Sequence, residues 1–278
     1  METPVPWYGG KQNLAKHIIR IMPQHRTYVE VFGGGAAVLF AKPPSPVEVY
    51  NDIDSGLVNF FRVLRDPEKY KRLQELLELT PYSREEFYYC RETWRDVEDD
   101  VERARRWYYV AISSFSGAWG VSWKHSATRN MAKRYYSKIA MFDKFHERIK
   151  NVQVENLDFR EIIPKYDTEE TLFYLDPPYM PTTRRYPYQV YVHEMSIKDH
   201  KDLIKLLLKI KGYAILSGYA NSLYSKLEDN GWNRIDIKVE VTADTLDTRK
   251  EAIESLWFNY DLKEVKKQNE LLKYIKSY

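Results

Sequence analysis

Only one cysteine, Cys90, occurs in 278 residues. No disulfide can close within the chain, and a reducing compartment is expected. Cys90 sits in a helical, aromatic stretch and reads as packing rather than as a nucleophile. No apolar run approaches the ~20 residues needed to cross a bilayer, and residues 1–10 lack an apolar signal core. A cytoplasmic protein without membrane association is therefore expected. The six histidines show no metal-ligand spacing, so no metal is expected. Repeats and low-complexity tracts are also missing. A large excess of either charge is lacking, with 43 Lys and Arg against 40 Asp and Glu and a formal net charge of +3, so the distribution of basic residues matters more than their sum.

Aromatics are abundant. They make up 15% of the chain, with 23 Tyr and 7 Trp. Base stacking is one use for such a surplus, but most of these tyrosines read as core residues with a polar tip.

Short apolar runs at 28–32, 47–50, 152–154, 172–175, 213–217, 234–241 and 253–260 read as strands. The earlier ones are separated by helical patterns, which implies a largely parallel sheet. Only a loop separates the last two, which fits an antiparallel edge hairpin. Ser196 and Asp199 form a capping-box pattern that opens a helix to about residue 210, and a short helix is expected over 222–230. Residues 62–138 hold helical patterns and no convincing strand. Helix starts are expected at Pro67 and Ser83, and a third helix over 98–115. The region reads as a helical insertion dividing an α/β domain into 1–61 and 139–278. Residues 263–278 read as a polar helix.

The segment 28–40 is a strand, a glycine-rich turn and a helix. Gly33 and Gly35 permit a sharp turn and close approach to a ligand. The third glycine of a dinucleotide fingerprint would fall at Val38, so a nicotinamide dehydrogenase is disfavoured. By itself the turn is as well explained by structure as by a ligand. The next strand ends in Asn51-Asp52-Ile53-Asp54. Asp52 is placed to accept hydrogen bonds from ribose hydroxyls, although capping a helix would also suit an aspartate here, and Asp54 could supply that cap. Ribose recognition without a phosphate fingerprint points to S-adenosylmethionine.

The sharpest signal is Leu172-Phe-Tyr-Leu-Asp-Pro-Pro-Tyr179. A buried strand delivers Asp176, Pro177, Pro178 and Tyr179 to the edge where open α/β sheets bind ligands. Two prolines stiffen the backbone. The Asp176 carboxylate and the Pro177 carbonyl can then converge as two acceptors on one NH2 group, and the Tyr179 ring can stack on a base.

With these residues in view, the chain resembles the Dam-like, D12 class family of DNA adenine-N6 methyltransferases over nearly its whole length. The resemblance implies an α/β fold: a Rossmann-like methyltransferase sheet of about seven strands, with a helical target-recognition insertion at 62–138. It also implies that Pro6-Trp7-Tyr8-Gly9-Gly10-Lys11 opens the cofactor site, with Trp7 and Lys11 lining it and Lys11 near the cofactor carboxylate. Glu30-Val31-Phe32-Gly33-Gly34-Gly35 is similar to the family's glycine motif, although Val31 stands where Pro is frequent. Asn51-Asp52-Ile53 corresponds to the ribose motif. Asn156-Leu157-Asp158-Phe159 corresponds to the adenine contact, with Asp158 towards the amine and Phe159 against the ring. Segments 211–219 and 254–260 resemble later family strands. Asp176 would face both cofactor and substrate.

Between residues 103 and 142 there is no Asp or Glu, while Arg103, Arg105, Arg106, Lys124, Arg129, Lys133, Arg134 and Lys138 all fall there, interleaved with Trp119, Trp123, Tyr135 and Tyr136. This is the footprint expected for phosphate contacts. Lys124, Arg129, Lys133, Arg134, Trp119 and Trp123 are the expected DNA contacts. Arg184 and Arg185, in a second acid-free stretch at 181–193, are the others, on a lip sheltering an extruded base. Double-stranded DNA is the expected partner and a monomer the expected state; a cognate restriction endonuclease would be compatible with the family.

Three alternatives stand beside this reading. Cytosine-N4 methylation uses the same amine logic, but those relatives usually carry Ser in place of Asp176. RNA or protein-glutamine methyltransferases more often begin the motif with Asn and would not need the basic insertion. A DNA-binding module that kept the fold without catalysis would not need the cofactor residues.

Overall fold

The computed structural model describes residues 1–180, 193–241 and 250–267. Seven strands form one sheet in the order β3-β2-β1-β4-β5-β7-β6. They are β1 (Thr27–Glu30), β2 (Val47–Asn51), β3 (Gln153–Glu155), β4 (Thr171–Leu175), β5 (Tyr213–Gly218), β6 (Asn233–Val241) and β7 (Lys250–Phe258). The pairs β2–β3, β1–β2, β1–β4 and β4–β5 are parallel, and β7 runs antiparallel to both β5 and β6. The sheet of about seven strands, the parallel core and the edge hairpin all match expectation.

Some boundaries shift for local reasons. Val152 belongs to the turn before β3, because its N–H donates to Ile149 O at 2.9 Å and its carbonyl accepts from Arg65. β7 ends at Phe258 because the Asn259 side chain takes over the ladder. Asn259 accepts from Ala214 N at 2.9 Å and donates to Gly212 O at 2.9 Å.

The helices are α1 (Ala15–Ile21), α2 (Ala37–Ala41), α3 (Ser55–Arg65), α4 (Lys69–Glu78), α5 (Arg84–Thr93), α6 (Asp100–Ser113), α7 (Met131–Ile139), α8 (Phe142–Ile149), α9 (Phe159–Tyr166), α10 (Ile197–Leu207) and α11 (Ser225–Glu228). The caps follow the sequence. Ser83 accepts from Glu86 N to start α5, Asp99 caps α6, and Ser196 with Asp199 forms the full capping box of α10. Near Pro67, Asp66 accepts from Glu68 N and Lys69 N, and α4 follows. The short α11 begins after Asn221 has accepted from Leu223 N and Tyr224 N. Residues 262–267 are helical, and the remainder of the expected C-terminal helix lies outside the described residues.

Strand residues alternate between two cores, as a sheet covered on both faces requires. Val29, Val49, Phe173, Leu175 and Trp257 pack with α9, α10 and α11. Tyr28, Tyr50, Leu172 and Tyr174 face the opposite side, where the helices between β2 and β3 share their core. Phe60 of α3 stacks on Tyr108 of α6 at 4.6 Å. Part of the tyrosine surplus is here. Tyr28, Tyr50, Tyr108, Tyr109, Tyr135 and Tyr174 are all fully buried. Each hydroxyl has a partner: Tyr108 donates to Pro4 O and Tyr135 to Leu77 O, for example. A buried phenol needs such a partner.

Candidate active site

The C-terminal ends of β1, β2 and β4 open onto a cavity of about 420 Å³, whose lining includes Trp7, Lys11, Gly33, Asp52, Phe159 and Asp176. That size suits a small-molecule site.

The floor is the glycine turn between β1 and α2. Gly34 has φ +47° and Ala36 φ +57°, so the turn uses left-handed backbone at two positions. Gly33 has a different reason to be glycine: a Cβ there would lie 2.2 Å from the Tyr50 ring. The Tyr50 hydroxyl donates to Gly34 O at 2.9 Å. A Cβ on Gly35 would lie 2.8 Å from Val5 O. The glycines let the turn lie flat on Tyr50 and the N-terminal segment, which keeps the space above it open.

Two aspartates follow β2, and the structure separates their work. Asp54 caps α3, accepting from Gly56 N and Leu57 N. Asp52 lines the cavity. Its Oδ2 accepts from Gly34 N at 2.8 Å and its Oδ1 from Asp54 N at 2.9 Å. Each oxygen keeps further acceptor capacity. Burial pushes the Asp52 carboxyl up to about 6, against the pull of these two N–H groups.

Asn51 ties three segments together. Its Nδ2 donates to Val31 O at 2.8 Å and to Leu157 O at 3.0 Å, and its Oδ1 accepts from Leu157 N at 2.9 Å. This brings Phe159 against Phe32, with ring centres 5.8 Å apart, to form an apolar flank. Asp158 is also at the wall, but its carboxylate already caps α9 through Arg160 N and pairs with the Arg160 guanidinium. Arg160 reaches on to Asp199 and Asp202 of α10. Trp7 stacks at 6.5 Å on Trp107, linking this N-terminal segment to α6.

β4 is buried throughout and places Asp176 at the cavity edge. Asp176 Oδ1 receives Lys11 Nζ at 2.8 Å and Ser217 Oγ at 2.8 Å. Among the described residues its Oδ2 accepts no hydrogen bond. Lys11 Nζ also donates to Tyr179 OH at 2.6 Å and Gly9 O at 3.1 Å. Burial alone would depress the Lys11 ammonium, but the Asp176 and Glu254 carboxylates outweigh it and hold its pKa above the usual lysine value. The Tyr179 ring lies 4.6 Å from that of Tyr219, and its hydroxyl donates to Glu254. Deeper in, burial raises Glu30 to about 8, although Tyr28 OH and Leu39 N donate to it.

Ser217 and Glu254 were not singled out as functional from the sequence. Ser217 gives no signal there beyond its place at a strand end. Glu254 does: it is an acid inside an otherwise apolar strand pattern.

The basic region divides. Arg103 donates to Asn59 Oδ1. Arg105 pairs with Glu86 and Glu102, and Arg106 with Glu102, so these arginines serve packing. Lys124, Arg129, Lys133 and Arg134 instead line one groove of about 710 Å³ beside α7, the last three being exposed. Trp119 packs between Trp94 and Trp107 and donates to Trp107 O. Trp123 packs on Tyr82 and His125, with Arg84 over its ring. Arg184 and Arg185 lie outside the described residues, as does most of the expected lip.

The family model described as D12 class N6 adenine-specific DNA methyltransferase matches residues 7–268. A type II methyltransferase of Lactococcus lactis subsp. cremoris is 31% identical over 240 residues, covering 80% of this chain and 82% of the relative. A type II methyltransferase of Methanocaldococcus jannaschii is 27% identical, with 73% and 78% covered. A DNA adenine methylase of Salmonella typhi is 26% identical, with 63% and 64% covered.

Proposed function

The chain belongs to the D12 class of N6 adenine-specific DNA methyltransferases, and from that premise we propose how its residues bind cofactor and DNA and carry the transfer. The cavity at the strand ends fits S-adenosylmethionine: it offers a carboxylate for hydroxyls and two aromatic rings for a base. Asp52 accepts from the ribose hydroxyls. Phe32 and Phe159 flank the adenine, Asp158 lies towards its amine, and Trp7 and Lys11 close the site over the Gly33–Gly35 turn. S-adenosylmethionine, when bound, supplies an electrophilic methyl group that the target amine takes directly.

One observation carries the catalytic assignment. Lys11 and Ser217 occupy Asp176 Oδ1, and among the described residues Oδ2 accepts no hydrogen bond. Oδ2 accepts one N6–H, and the Pro177 carbonyl, held by the adjoining Pro178, accepts the other. Tyr179 supplies a ring against the base. Lys124, Arg129, Lys133 and Arg134 hold phosphates of duplex DNA, with Trp119 and Trp123 buttressing that face and Arg184 and Arg185 adding charge near the extruded base. Extrusion costs roughly a few kcal/mol, which phosphate contacts offset.

The test is to incubate the chain with unmethylated duplex DNA and labelled S-adenosylmethionine, digest to nucleosides, and identify the product by mass spectrometry. N6-methyladenine is expected. N4-methylcytosine would overturn the choice of base, and a chain that binds cofactor and DNA but leaves every nucleoside unmodified would overturn the catalytic assignment.

A further inference from the structure

Along 253–258 of β7 the buried residues are Leu256, Trp257 and Phe258 with the polar Glu254 and Ser255, and the Glu254 side chain is only 4% exposed. A carboxylate in such a place is costly unless it is partnered. Glu254 has two partners. The Tyr179 hydroxyl reaches its Oε1 at 2.8 Å and its Oε2 at 3.0 Å, and Lys11 Nζ lies 3.5 Å from Oε1. The same ammonium is 2.8 Å from Asp176 Oδ1. One buried cation therefore stands between two carboxylates. Burial raises the Glu254 pKa, and Lys11 pulls it part of the way back.

We propose that Glu254 is a positioning residue for the transfer step: by sharing Lys11, it leaves the catalytic cluster one negative charge in excess, so that Asp176 meets the target amine as an uncompensated carboxylate. The proposal rests on the methyl-transfer reading above. In that reaction the amine lone pair forms the N–C bond and the S–C pair stays on sulfur. The positive charge passes to N6 until a proton leaves it, to the Asp176 carboxylate and on to water. Charge that develops in the transition state is stabilised by groups already in place. With Asp176 and Lys11 alone, the cluster would be neutral where that charge appears. Glu254 supplies the excess without itself touching the base.

Glu254→Gln separates charge from hydrogen bonding, because the amide oxygen still accepts from the Tyr179 phenol. Glu254→Ala removes both. The expected result is that kcat falls on the order of tenfold or more in both variants, with KM for DNA little changed. A second readout needs no turnover. Sinefungin carries an amine where the methyl sulfonium stands, and S-adenosylhomocysteine carries no charge there. The ratio of their dissociation constants, measured by calorimetry, should shift several-fold towards the neutral compound in Glu254→Gln. Wild-type kcat in Glu254→Gln, or an unchanged affinity ratio, overturns the proposal. If the unsubstituted chain methylates no DNA, it is the functional reading that fails, and the affinity ratio still decides the part played by Glu254.

Discussion

The Ser217 hydroxyl and the Asp176 carboxylate meet at 2.8 Å, across the pairing of β5 with β4. Lys11 reaches the same carboxylate oxygen, so the two donors set the rotation of the group. Ser217 is fully buried and its removal leaves little space. Ser217→Ala should lower kcat about two- to tenfold, the worth of one hydrogen bond, with KM for both substrates unchanged. Steady-state kinetics checks this, and a change confined to KM would count against it.

Gly33 tests the floor of the cavity. A methyl group there would meet the Tyr50 ring at 2.2 Å, and that ring is held by its own hydrogen bond to Gly34 O. Gly33→Ala should cost about 1–3 kcal/mol of stability and weaken cofactor binding by displacing the turn. Thermal unfolding and calorimetric titration with S-adenosylhomocysteine would show both. A variant with unchanged melting temperature and affinity would mean the turn has room that the packing does not show.

Glu30 makes a pH prediction. Burial raises its folded pKa to about 8 from an ordinary value of 4.5. The folded state therefore holds a proton that the unfolded state has released across that interval. The stability contributed by this group is fully present below about pH 4.5 and is lost as pH rises towards 8. Glu30→Gln should flatten this part of the pH dependence, so that its melting temperature changes less between pH 5.5 and 8.5 than that of the unsubstituted chain. Equal slopes would mean that Glu30 is ionised throughout.

The groove beside α7 predicts a salt effect. Lys133 and Arg134 are exposed and share that groove with Lys124 and Arg129. Replacing both by Ala should weaken DNA binding and reduce the slope of log K against log salt by about 2. Arg105→Ala should instead destabilise the fold through loss of its Glu86 and Glu102 pairs. Fluorescence anisotropy at several salt concentrations distinguishes them, and an unchanged slope in the double variant would remove the groove from the DNA interface.

The alternation of apolar runs with helical patterns was enough to place seven strands and the antiparallel hairpin. Side-chain periodicity and the edge pairing of two adjacent runs are local properties. The helix starts at Ser83 and Ser196 were legible for the same reason, since a cap acts within one turn. The glycine turn, Asp52 and the Asp176–Tyr179 string were legible because each sits where a buried strand ends. Composition could not separate the basic residues by role. Arg105 looks like Lys133 and Arg134 until α5 packs Glu86 beside it, whereas Glu102, one turn before Arg105 and Arg106 on α6, is a local partner.

The residues of this chain by themselves determined the kind of sheet, the glycine turn and the placing of Asp176 at a strand end, because these depend on neighbours a few positions apart. Only the tertiary structure decided how Asp176 is held. Lys11 and Ser217, which hold its carboxylate, and Glu254, which shares Lys11, lie on three distant segments, and no local pattern reports that they will meet. That choice is made when the strand ends converge and each buried charge must find a partner.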